Sequence, residues 1–161
     1  MTSEESKAKA EREVFLEFVQ MAGLPVVPGS VESRRPPEPD ILCRYVHGEQ
    51  VAFELVDLVD EDLARVTAQA IQGQGPGGTW FADPTLERVR VKLVEKRYQS
   101  PFPIELLAYG DETMDPKSIW MPKFEQRLRD LVDASSFRRL WVANMTGRER
   151  GVWLVHPPAA P

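Results

Sequence analysis

Glu54 stands alone among apolar neighbours. Residues two apart in a strand face the same way, so the face of the Gln50–Leu58 segment that carries Glu54 also carries Ala52, Val56 and Leu58. A carboxylate in that company needs a cation, a hydrogen-bond donor or a raised pKa, because burying a bare charge is costly. Asp40, one short hairpin away, could complete a hard-oxygen magnesium site with it. The competing readings are a Glu exposed on an edge strand, or one held by an arginine. A third carboxylate follows from helical phase. At about 100° per residue, Glu11 falls between Phe18 and Ala22 in the apolar arc of the first helix, whereas Glu13 and Glu17 point elsewhere. Against this, an acid in the first turns also suits the helix dipole and can snorkel to water.

The basic residues that could meet a phosphate are concentrated in one segment. Between Thr85 and Tyr98, Arg88, Arg90, Lys92, Lys96 and Arg97 outnumber Glu87 and Glu95, which gives +3 locally and leaves −8 for the remainder of a chain of net charge −5. That balance disfavours broad attachment to nucleic acid or to an acidic membrane, and any such contact must be local. Arg90 and Arg97 have forked donors suited to a phosphate, and Lys92 is turned further toward solvent than Lys96. A solvated basic helix face accounts for the same pattern.

The elements that must hold these residues can be read from periodicity. Glu4 to about Ala22 has Val14, Phe15, Phe18 and Ala22 at three- and four-residue spacing, an amphipathic helix ending near Gly23. The proline-rich stretch from Pro25 to Pro39 is irregular chain with a short extended piece around Val26 and Val27. Ile41–Val46 and Gln50–Leu58 form a β-hairpin about His47-Gly48-Glu49. A helical pattern from Asp60 to about Ile71 precedes a glycine-rich loop, Gly73 to Gly78, which lacks the lysine of a phosphate-binding loop. Thr85–Tyr98 is a second long helix with Leu86, Val89 and Leu93 on one stripe. Ile104–Tyr109, Phe137–Ala143 and Val152–His156 are strands, and Lys123–Ala134 is a helix.

Together these predict one α/β domain over 1–156, a small mixed central sheet flanked by helices, with 157–161 as a frayed tail. With 161 residues and 42% hydrophobic content the chain can bury a sizeable core. No apolar run is long enough to span a bilayer and the charged start is unlike a secretory signal, so the expected location is the cytoplasm. The lone Cys43, with only His47 and His156 beside it, excludes an internal disulfide and argues against zinc. Cys43, Trp141 and Trp153 are assigned to packing and His47 to a turn.

Pro39-Asp40 at a strand start, Glu54 in Phe53-Glu54-Leu55-Val56, and the order helix, irregular lead-in, hairpin, helix and strands resemble the PD-(D/E)XK nuclease-like superfamily. The resemblance covers most of the chain by element order and three residues by motif. It implies a restriction-endonuclease-like core and a metal-dependent nuclease acting on DNA or another nucleic acid. Asp40 and Glu54 would hold magnesium, and Glu11 would match the first-helix glutamate that faces the metal in many members. The pattern departs at Val56, where the family has a lysine that helps to activate water. Some members supply that lysine from the following helix, which points to Lys96 as its displaced counterpart, with Arg90, Arg97 and Lys92 left to bind phosphate. The rival expectation is a catalytically inactive nuclease-fold protein serving as an interaction module, with a protein partner or a second copy of itself.

Overall fold

The computed structural model describes residues 2–58, 84–110, 121–148 and 150–155. The predicted helix over 60–71, the glycine-rich loop, His156 and the tail lie outside these residues.

Helix α1, Ser3–Ala22, begins where the sequence supplies a cap. Thr2 Oγ1 accepts from the Glu5 amide at 3.1 Å while the Glu5 carboxylate accepts from the Thr2 amide at 3.1 Å, a reciprocal capping box. The helix ends at Gly23, whose φ of 64° is left-handed and whose N–H returns to the last carbonyls. The proline-rich lead-in then contributes one element that its composition conceals. Strand β1, Glu32–Ser33, pairs antiparallel with β2, Ile41–Arg44. Two residues between prolines carry no readable alternation, which is why the lead-in reads as irregular throughout. The extended piece around Val26 is present as a bridge to Tyr45.

β2 turns into β3, Gln50–Asp57, through a hairpin in which Gly48 has a φ of 103° and the Tyr45 amide donates to the Glu49 carbonyl. The first arm is shorter than predicted because Tyr45 leaves the ladder to close that turn. The following helix, α2, runs Pro84–Arg90, widens into a single π-type turn over Val91–Glu95, and stops there, with Lys96 extended at φ −77° and ψ 146°. Strand β4 is Ile104–Gly110, helix α3 is Met121–Asp133, β5 is Arg139–Asn144 and β6 is Gly151–Val155.

The six strands form one sheet in sequence order. β3, β4 and β5 are mutually parallel, while the remaining neighbours are antiparallel. The mixed α/β class predicted from sequence is therefore observed. Alternation along the strands builds two cores. One face sets Phe53, Leu55, Leu107 and Trp141 against Phe15 and Phe18 of α1; the other sets Ala52, Val56, Leu106 and Val142 against Leu86, Val89 and Leu93 of the α2 segment and Leu128 and Val132 of α3. Trp141 and Trp153 pack as expected, and burial pushes the Cys43 thiol up to about 12, leaving it a core residue rather than a nucleophile. Among the described residues no helix is long and apolar enough to cross a membrane.

Candidate functional site

The hairpin brings Asp40 and Glu54 together through reciprocal bonds. The Asp40 amide donates to Glu54 Oε1 at 3.1 Å, and the Leu55 amide donates to Asp40 Oδ2 at 3.0 Å. Each acid thus holds the backbone of the other's strand. Register does this, because Ile41 pairs with Phe53, so Asp40, one residue ahead, falls opposite Glu54. Their carboxyl groups also lie within hydrogen-bonding reach of each other, and Glu11 reaches Asp40 from α1. Glu11 is half-buried, Phe18 is buried, and Glu13 and Glu17 are exposed, as helical phase predicts.

Three carboxyls in a row are electrostatically costly. Burial, and then the charge of Glu11, raise the pKa of Asp40. Burial, and then the charge of Asp40, raise that of Glu54 against the opposing pull of Lys92. Lys92 Nζ sits 2.7 Å from Glu54 Oε2 and is the cation that partly offsets this repulsion. Glu54 is 4% exposed, so this contact is close to fully desolvated on the acid's side. Tyr98 lies against the same acid, and burial followed by the charge of Glu54 holds its phenol well above its ordinary value.

The lysine beside the acids is Lys92 and not Lys96. Lys96 is exposed and lies past the helix end, whereas Lys92 reaches the acids. Extending a regular helical phase to Tyr98 sets Lys96 near the stripe of Leu86, Val89 and Leu93, but the helix stops at Glu95, so that phase does not apply to Lys96. Lys92 stands on the flank of the stripe, and its four-carbon stem spans the remaining distance along apolar surface. The two arginines assigned to phosphate are engaged elsewhere. Arg90 is bound to Glu87 at 2.6 Å and Glu95 at 2.7 Å, and Arg97 is exposed and donates to the Val94 carbonyl.

Beside the acids lies a cleft of about 310 Å³ between α1 and α2, walled by Lys7 and Glu11 on one side and Arg88 and Lys92 on the other, with Asp57 and Tyr109 at the strand ends. The sequence assigns no role to Lys7, and counts Arg88 only among the basic residues of 85–98. The available signal is spacing, since each stands four residues before a site residue, Glu11 and Lys92 respectively, and so shares its helix face.

Magnesium keeps several waters and takes only one or two protein carboxylates, so the Asp40–Glu54 pair has the right donors and an excess of negative charge for it to offset. Among the described residues no group of three or more His, Cys, Asp or Glu side chains is placed to hold a metal ion. Neither family models nor curated proteins give a match to this sequence.

Proposed function

We propose that this domain is a divalent-metal-dependent phosphodiester hydrolase of the PD-(D/E)XK nuclease-like type, acting on nucleic acid. The observation that carries the reading is the 2.7 Å contact between Lys92 Nζ and Glu54 Oε2, with Asp40 hydrogen-bonded to the same acid. An ammonium supplied by the following helix answers the absence of lysine at Val56. Among the described residues the succession α1, β1, β2, β3, α2, β4 around the acid pair supports a restriction-endonuclease-like core.

A bound magnesium ion would supply Lewis-acid polarisation of a phosphoryl oxygen and a more acidic water. Asp40 and Glu54 would hold it, with Glu11 as the auxiliary acid. Lys92, on the edge of this cluster, would orient a nucleophilic water and stabilise charge that develops on the phosphoryl oxygens. Leu55 N–H fixes the Asp40 carboxylate, so the acid presents its other oxygen without a rotamer search.

Purified protein should cut nucleic acid in magnesium or manganese and not in chelator. Lys92→Ala and Glu54→Gln should each lower the rate by about a hundredfold or more with circular dichroism unchanged, and Lys96→Ala should leave it near wild type. Cleavage that survives Lys92→Ala but is lost in Lys96→Ala would remove this assignment. A folded wild type that cuts neither single- nor double-stranded DNA or RNA with either metal would leave the interaction-module reading in its place.

A further inference from the structure

The cleft between α1 and α2 has features that acid-and-metal chemistry alone does not require. Its two walls each carry a cation beyond the acid cluster, Lys7 on α1 and Arg88 on α2, and a tyrosine, Tyr109, lines the strand ends between them beside the carboxylate of Asp57. Cations on opposite walls with an aromatic between them suit a polyanion whose bases are exposed. Such an arrangement tracks a sugar-phosphate backbone on its charges and stacks a base on its ring.

Size and charge then choose between one strand and two. The cleft, at about 310 Å³, stands at the small end of the range for pockets that hold a single small molecule, so it has room for about one nucleotide. A duplex presents its phosphates across grooves of roughly 6 and 12 Å, and must be met by a broad basic surface. This chain has a net charge of −5, and its most basic stretch spends Arg90 on Glu87 and Glu95. A duplex laid over the cleft would meet an acidic protein, whereas one strand entering it meets Lys7, Arg88 and Lys92, the last already held by Glu54, against the two carboxylates of Glu11 and Asp57.

We propose that the α1–α2 cleft binds one unpaired strand of DNA or RNA, with Lys7 and Arg88 holding its phosphates and Tyr109 supporting a base, and that it discriminates against duplex. The proposal deepens the hydrolase reading by naming the substrate class, and rests on that reading only for the cleavage of the bound strand. The test is therefore made on binding. The intact protein is titrated in chelator against fluorescent oligothymidylate, oligouridylate and a duplex of equal length, at several salt concentrations.

Wild type should bind at least one single strand about tenfold or more tighter than duplex, since stacking of one base alone carries a factor of about five or more. Lys7→Glu, at an exposed position that leaves the fold untouched, should weaken that binding, and Lys7→Ala should lower the salt slope by about 0.7. Tyr109→Ala should lose about fivefold or more and Tyr109→Phe little. Comparison of the two oligonucleotides assigns the strand to DNA or RNA. Equal or tighter binding of duplex, no binding of any oligonucleotide, or single-strand binding indifferent to both Lys7→Glu and Tyr109→Ala would overturn the proposal. Single-strand binding without cleavage in magnesium would sink the hydrolase reading and leave this one, and cleavage confined to duplex would do the reverse.

Discussion

Asp40 and Glu54 are both held protonated to higher pH than ordinary carboxyls by burial and by their neighbours' charge. Folding therefore takes up protons above the unfolded carboxyl value, near about 4. The stability contributed by the pair is fully present below that value and is lost as pH rises through the folded value. Asp40→Asn removes one repelling charge while its amide oxygen can still accept from Leu55. Melting temperatures from pH 4 to pH 7 in chelator should accordingly fall more steeply for wild type than for Asp40→Asn, and magnesium should raise the wild-type value at pH 7. Parallel curves would show that the pair's repulsion is not what sets the pH dependence. The acids were legible in the sequence because strand parity and helix phase are local rules. The lysine was not, because its identity turned on where α2 ends, and nothing in Val-Glu-Lys-Arg at 94–97 marks that end.

At the scale of elements, the hairpin and the parallel strands are fastened by a second acid that the sequence reading assigned no role. Glu105 of β4 is fully buried and accepts from Arg138 Nη2 at 2.6 Å and from Trp141 Nε1 at 2.7 Å, while Arg138 Nη1 also reaches Glu49 at the hairpin turn. The hairpin turn and β4 thus converge on one guanidinium immediately before β5. Removing the acid orphans the buried indole donor and leaves Arg138, about a third exposed and still paired with Glu49, short of one partner, so Glu105→Ala should cost about 1–3 kcal/mol by chemical denaturation. Glu105→Gln, which keeps an acceptor for Trp141, should cost less. Equal losses would mean that charge pairing at Arg138 carries the whole effect. The strands themselves were readable, since Ile104–Gly110 and Arg139–Asn144 are apolar runs of strand length. Their pairing was not, because parallel register is set by packing of distant segments and leaves no local mark.

Across the whole molecule, α1 is attached by aromatic packing. Phe15 and Phe18 lie with ring centroids 4.9 and 6.1 Å from Phe53, and Phe18 lies 5.4 Å from Trp141. Glu11 and Lys7 ride on the helix so anchored. Phe18→Ala should lower stability by about 3–5 kcal/mol, roughly 6–20 °C in melting temperature, and should impair nucleic-acid binding more than a substitution of equal cost on the α3 face, such as Leu128→Ala. Equal impairment would show that the cleft depends on global stability alone. The reciprocal bonds between Asp40 and Glu54 also bear on when the site can exist. A slip of one residue in the hairpin would turn Glu54 to the α1 face and break both bonds, so only the native register yields the acid pair. Lys92 follows Glu54 by 38 residues, and its helix packs on a sheet completed later still. A chain emerging from the ribosome therefore has its acids before its ammonium. On the proposed reading, a chain still short of Lys92 is inert.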